Sequence, residues 1–248
     1  MKSEVFYVKS GDALLRGAAY SPGEGGRQAA VCFCHGWPRQ AKPVEEKGYS
    51  ALAKGLAEEG FVSFIFNFQG TAGSGGFFSL SSWSRNLVDV LGYVTSLKNV
   101  DPGRVFVVAF SMGAIAATGI AATDERVSGF VCCSCPYDAE QFYTMLREGV
   151  RIANTEGVIR LRREEELSEL EQDLKKLNPM LFISRISPKP LLIIHGENDE
   201  VFPVEEAYKL FRAAKQPKDI LILKGVGHYV RGSKEAVDYI TKWLKEHT

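Results

Sequence analysis

The sequence predicts an α/β fold: a mostly parallel, eight-stranded sheet with an antiparallel N-terminal hairpin, helices on both faces and one helical insertion. Three observations lead there. Continuous Val/Ile/Phe runs alternate with segments of helical spacing over most of the chain, as strands buried on both faces by crossover helices must. The first two apolar runs are separated only by Ser10-Gly11-Asp12, enough for a hairpin and too little for a crossover. Between Pro136 and Pro190 the alternation stops, and helical spacing with many charges takes over.

In order, Glu4–Lys9 and Ala13–Tyr20 form the hairpin and Ala29–Cys34 a buried strand. Tyr49–Glu59 is helical and stops at Gly60, a residue free to take the left-handed conformation that ends helices. Phe61–Phe68 is the fourth strand, and Gly70-Thr-Ala-Gly-Ser-Gly-Gly76 is too glycine-rich for any regular element. A long helix over Ser82–Leu97 leads through the turn Asp101-Pro102-Gly103 into strand Arg104–Phe110, helix Met112–Ala122 and strand Ser128–Cys133. After the insertion come strand Pro190–His195, helix Val204–Ala214, strand Asp219–Lys224 and helix Lys234–Glu246.

The core is therefore assigned to residues 1–136 and 184–248, and the insertion to 137–183. Within the insertion Leu167, Leu170, Leu174 and Leu177 make one apolar stripe beside the charge run Arg160–Glu166. An ordinary surface helix and a lid over the carboxyl edge of the sheet both fit this pattern.

Thirty basic and thirty acidic side chains cancel, so no global field draws the chain to nucleic acid or an anionic membrane. A small-molecule partner is expected, with room left for a homodimer. No signal-peptide core and no run of roughly 18 apolar residues is present, so a cytoplasmic location is expected. Cys32 and Cys34 lie in one strand run, and Cys132, Cys133 and Cys135 in or just past another, where cysteine behaves as a small hydrophobe. The Cys132/Cys135 spacing alone does not make a metal site, and no metal or cofactor is expected.

Ligands of an open parallel sheet collect beyond the carboxyl ends of its strands. Four such ends carry chemistry: Cys34-His-Gly-Trp-Pro38, Ala109-Phe-Ser-Met-Gly113, His195-Gly-Glu-Asn-Asp-Glu200 and Gly225-Val-Gly-His-Tyr229. Ser111 stands where a strand hands over to a helix between small residues, Ala109 and Gly113, the pattern of a nucleophile elbow. Serine is also a favoured helix cap there, and both readings are open at this point. Of four histidines, His247 is terminal, while His35 and His195 precede glycines and are read as turn braces. His228, in a glycine-flanked loop, is the candidate base. Glu197, Asp199 and Glu200 offer the carboxylate that would orient it.

Taken together, His35-Gly36, the elbow at Ser111, His195-Gly-Glu-Asn-Asp199 and Gly227-His228 resemble the α/β-hydrolase superfamily, closest to small serine esterases and the catalytic domains of prolyl-oligopeptidase-like acyl peptidases. The resemblance covers essentially the whole chain. It implies Ser111, Asp199 and His228 as catalytic residues, with Asp199 preferred over Glu197, Glu200 or Asp138. It implies an oxyanion hole from the backbone N–H groups of Trp37 and Met112. Two departures stand out: Asn67-Phe-Gln-Gly-Thr-Ala-Gly-Ser74 replaces the family's D-x-R-G-x-G loop, and Ala109 replaces an elbow glycine.

The expected reaction is hydrolysis of a carboxylic ester, with a thioesterase or lactonase as the near alternative and a non-catalytic binding protein as the alternative of another class. Peptide cleavage is not expected, since the peptidase relatives select substrates with a large accessory domain. Gly70–Gly76 lacks the lysine of a phosphate loop. Trp37, Phe142 and Tyr143 are candidate substrate-binding residues, and with Phe77 and Phe78 they favour an uncharged, partly hydrophobic acyl group; Trp37 could equally serve packing.

Overall fold

The computed structural model describes residues 1–23, 25–38, 40–42, 48–163 and 166–248. Eight strands form one sheet: β1 Lys2–Ser10, β2 Ala13–Ser21, β3 Gln28–Cys34, β4 Val62–Phe66, β5 Val100–Phe110, β6 Gly129–Cys133, β7 Leu191–Gly196 and β8 Lys218–Leu223. Their spatial order is β1-β2-β4-β3-β5-β6-β7-β8, antiparallel at β1/β2 and β2/β4 and parallel thereafter. This is the mixed sheet and hairpin expected from sequence.

Side-chain alternation divides the core into two layers. Cys32, Cys34, Val107 and Ala109 point toward α2 (Leu80–Ser96), α3 (Met112–Thr123) and α6 (Val204–Ala213). Val31, Phe33, Val108 and Phe110 point toward α1 (Tyr49–Glu58) and α7 (Lys234–Glu246). Each fully covered Val, Ile or Phe contributes about 1.5–3 kcal/mol of transfer free energy, which makes the register of these strands costly to shift.

Boundaries differ where neighbours supply the hydrogen bonds. The strand read as starting at Arg104 begins at Val100, because Gln28 pairs with Val100 across a bulge and Asp101-Pro102-Gly103 lies inside the strand. The fourth strand ends at Phe66: the Asn67 N–H goes to the Arg16 carbonyl and the Phe68 N–H to His35. The helix read from Ser82 starts at Leu80, since Ser79 and Ser82 cap each other reciprocally.

Residues 137–183 leave the sheet as α4 (Tyr143–Thr155), α5 (Glu166–Lys176) and short 3-10 turns. Leu167, Leu170 and Leu174 are buried as the stripe requires, whereas Leu177 lies past the helix end and is half-buried. The segment is pinned to the glycine-rich loop: the Arg160 N–H reaches the Gly70 carbonyl at 2.7 Å, the Phe78 N–H reaches the Arg160 carbonyl at 2.8 Å, and the Arg160 guanidinium donates to the carbonyls of Thr71 and Ser74. Asp173 is buried against Ser81, accepting from its N–H at 2.9 Å and from its hydroxyl. Glu164 and Glu165 of the charge run lie outside the described residues. Among the described residues no helix is long and apolar enough to cross a membrane.

Candidate active site

Ser111 occupies a sharp turn between β5 and α3, with φ 52° and ψ −124°. A non-glycine residue held at such angles costs about 1–3 kcal/mol, so the surrounding structure must impose it. It does: the Ser111 N–H donates to the Cys133 carbonyl at 2.9 Å, and the Ser111 carbonyl accepts from Ala114 and Ile115. The turn packs so tightly that a Cβ on Gly113 would lie 2.3 Å from the His35 carbonyl oxygen. The buried methyl group of Ala109 is accommodated at the position of the first glycine of the G-x-S-x-G elbow. Ser111 stands at the cap position of α3, yet its side chain makes no capping bond. Its hydroxyl instead lies 2.9 Å from His228 Nε2.

The other face of the imidazole is taken by Asp199, with Nδ1 at 2.8 Å from Oδ2 and 3.0 Å from Oδ1. The loop after β8 is fixed by the Ser134 hydroxyl, which donates to the His228 carbonyl at 2.8 Å. The His228 ring lies between Phe202 and Tyr229, each edge-on at 5.5 Å. Three side chains from the ends of β5, β7 and β8 thus meet in one buried line.

Asp199 is separated from its acidic neighbours by its donors. Oδ1 accepts the N–H groups of Val201 and Phe202 at 2.8 and 2.9 Å, and Oδ2 lies 3.1 Å from His195 Nε2. Burial pushes its carboxyl up, but hydrogen bonds from His195 and His228, the charge of His228 and the Phe202 N–H outweigh it and hold the group well below the ordinary carboxylate value. Glu197 and Glu200 are exposed, and Asp138 binds Asn178 and Gln141 within the insertion.

His35 braces its turn as expected: Nε2 accepts the Phe68 N–H and Nδ1 donates to the Gly36 carbonyl. His195 does more than brace. Its Nε2 sits against both the Phe202 carbonyl, at 2.8 Å, and Asp199, so that nitrogen carries the proton, while Nδ1 has no partner among the described residues. Its contact with Asp199 was not anticipated from the sequence, because the two side chains meet only in the folded turn. His247 binds the Trp243 carbonyl at the end of α7.

Ser111 and His228 open onto a cavity of about 270 Å³ whose walls include Trp37, Tyr49, Phe110, Met145, Leu146 and Val201. Trp37 and Met112, the residues expected to supply the oxyanion donors, both line this cavity, and the Gly36 N–H beside them is taken by the Tyr49 hydroxyl at 3.2 Å. Phe142 and Tyr143 do not line the cavity. Phe142 belongs to a 3-10 turn and packs edge-on against Phe202 at 4.9 Å, behind the His228 ring, and Tyr143 opens α4 one turn before Leu146. Phe78 backs Trp37 edge-on at 6.1 Å, and Phe77 lies beneath Arg162. Tyr49, Met145, Leu146, Tyr229 and Arg231 were not anticipated as wall residues; adjacency to His228 was the available signal for the last two. Among the described residues no cluster of three or more His, Cys, Asp or Glu is arranged to hold a metal ion.

A relay of this geometry can draw the proton from a serine hydroxyl and return it to a leaving group, with an ionised carboxylate stabilising the charged imidazole between. The family described as serine aminopeptidase, S33, matches residues 25–155. The uncharacterized protein Rv2307c of Mycobacterium tuberculosis is 24% identical over 249 residues, covering 96% of this chain and 78% of its own. Among solved structures, Est1E of Butyrivibrio proteoclasticus with ferulic acid bound superposes with a TM-score of 0.74 at 19% identity, covering 97% of this chain and 96% of its own. The Pyrococcus furiosus esterase Pf2001 gives a TM-score of 0.74 at 18% identity, covering 99% and 93%. Because the family match spans more than half of the sequence, and the sheet order is that of its fold, the chain belongs to the serine aminopeptidase S33 family of serine hydrolases, within the α/β-hydrolase superfamily.

Proposed function

We propose that the protein hydrolyses carboxylic esters through an acyl-enzyme on Ser111. The observation that carries this reading is the unbroken line Ser111–His228–Asp199 ending in an apolar-walled cavity. Ser111 Oγ adds to the ester carbonyl carbon as its proton passes to His228 Nε2. The resulting oxyanion is held by the N–H groups of Met112 and Trp37, each such donor worth about 3–4 kcal/mol of barrier. Collapse expels the alcohol, which takes the proton from His228. Water then adds to the acyl carbon, giving a proton to His228, and release of the acid returns that proton to Ser111. Asp199 stays ionised throughout. The segment 137–183 acts as a cap whose α4 supplies Met145, Leu146 and Gly149 to the wall.

Aminopeptidase activity fits the walls poorly. A peptide α-ammonium needs a carboxylate, and among the described residues no Asp or Glu lines the cavity. A thioester or lactone would follow the same steps, and substrate panels separate these.

A fluorophosphonate probe is expected to label the wild-type protein at Ser111, read by mass spectrometry of the peptide, with no labelling of Ser111→Ala. If the folded wild type neither reacts with the probe nor turns over 4-nitrophenyl butyrate, the fold serves a non-catalytic role instead.

A further inference from the structure

Arg231 is the one charged side chain in the described walls of the cavity that holds Ser111. It also lines an adjoining cavity of about 310 Å³ that shares Trp37, Tyr49 and Tyr229 with the first and contains no Asp or Glu among its described residues. Its guanidinium lies 5.0 Å from the Tyr49 ring centre and 5.9 Å from that of Tyr229, and it makes no ion pair with a carboxylate among the described residues. For a half-buried cation with no carboxylate partner among the described residues, removal from water is not offset there by a counter-charge. Aromatic faces can hold a guanidinium while leaving its in-plane N–H donors for oxygen acceptors, in the fork that suits a carboxylate.

We infer that the substrate carries a carboxylate, or an equivalent oxyanion, which Arg231 binds while the ester lies at Ser111. The inference rests on the hydrolase reading and narrows it. The substrate is then an ester that is apolar next to the scissile bond, where Phe110, Leu146 and Val201 surround it, and anionic at the end that reaches the second cavity. This departs from the uncharged acyl group that the aromatic content of the sequence favoured. It gives Tyr49 and Tyr229 a purpose as the clamp that orients Arg231. It also explains why the tyrosine at the start of α1 and the arginine after His228, far apart in sequence, are brought together at the site.

The test compares anionic with neutral esters. On the acyl side, 4-nitrophenyl hemiglutarate is set against 4-nitrophenyl valerate; on the alcohol side, 4-acetoxybenzoate is set against phenyl acetate. Arg231→Gln is expected to lower the anionic-to-neutral ratio of kcat/KM by roughly 10- to 100-fold in one of the two pairs, the range expected for losing a charged hydrogen bond. Arg231→Lys should retain part of that preference, and the pair that responds identifies the side bearing the anion. A merely structural brace would slow all four esters alike, and unchanged ratios in both pairs overturn the inference. Failure of the hydrolase reading is recognised separately by the absence of probe labelling. The anion site is then read by calorimetry in the Ser111→Ala background with monomethyl glutarate and 4-acetoxybenzoate. Binding of one of them weakened roughly tenfold or more by Arg231→Gln supports the inference, and equal binding of both with and without Arg231 overturns it.

Discussion

Alanine in place of His228 is expected to lower kcat for a nitrophenyl ester by about a millionfold, the size of effect seen when a serine hydrolase loses its base. The physical reason is the 2.9 Å contact to the Ser111 hydroxyl. An alcohol is a negligible nucleophile near neutral pH unless a base takes its proton during attack, and no other imidazole touches Ser111: His35 is committed to Phe68 and Gly36, and His195 to Phe202 and Asp199. Truncation also removes packing against Phe202 and a donor to Asp199, so His228→Gln, closer in volume, accompanies it. Circular dichroism should show both variants folded and single-turnover assays should show both inactive. Retention of activity within tenfold of wild type in either folded variant would remove His228 from the mechanism.

Asn in place of Asp199 is expected to cost about 10⁴ in kcat with little change in KM. Oδ1 is held by two backbone N–H groups, so the amide oxygen of the asparagine must take that position. Its NH₂ then falls at the Oδ2 site, facing both His228 Nδ1 and His195 Nε2. His228 can accept that donor only by moving its own proton to Nε2, the nitrogen that must be free to deprotonate Ser111. The same substitution carries a pH signature. The folded-state carboxyl sits well below its unfolded value of 3.8, so its contribution to stability is fully present above that pH and is lost as pH falls below it. Urea unfolding at pH 7 and pH 3 should therefore show a stability gap between wild type and Asp199→Asn that shrinks on the acid side. A gap independent of pH would mean that the ionised carboxylate is not what stabilises this turn.

The sheet was legible because its inner strands are covered on both faces, which leaves no choice but continuous apolar runs such as Val31–Cys34 and Leu191–Ile194. The ends of elements were less so. Whether Val100 pairs with Gln28, or whether Ser79 and Ser82 cap each other, depends on groups that meet only after folding. At the site, Ser111 and His228 stood out as candidates because one lies between the small residues Ala109 and Gly113 at a strand end and the other in a glycine-flanked loop, and such turn chemistry is local. Asp199 could not be told from Glu197 or Glu200 by spacing; the two N–H donors and the second imidazole that distinguish it are three-dimensional facts, and the family resemblance supplied the choice. Of the expected wall residues Trp37 lines the cavity, whereas Phe142 and Tyr143 miss it by helix phase. Phe142 and Tyr143 are aromatic and close in sequence to the right turn, but α4 begins at Tyr143 and directs Met145, Leu146 and Gly149 to the cavity.

The five cysteines, all unlinked and buried in or just beyond β3 and β6, carry a practical consequence. Burial pushes the Cys32 thiol up to about 12 and those of Cys34, Cys133 and Cys135 well above the usual value, which suppresses the reactive thiolate. Ellman's reagent should find no reactive sulfur in the native protein and five after denaturation. At high reagent concentration the colour should develop at the rate at which the central strands come apart. The polypeptide thereby contains its own stopwatch for global opening, with no dye or engineered tag required.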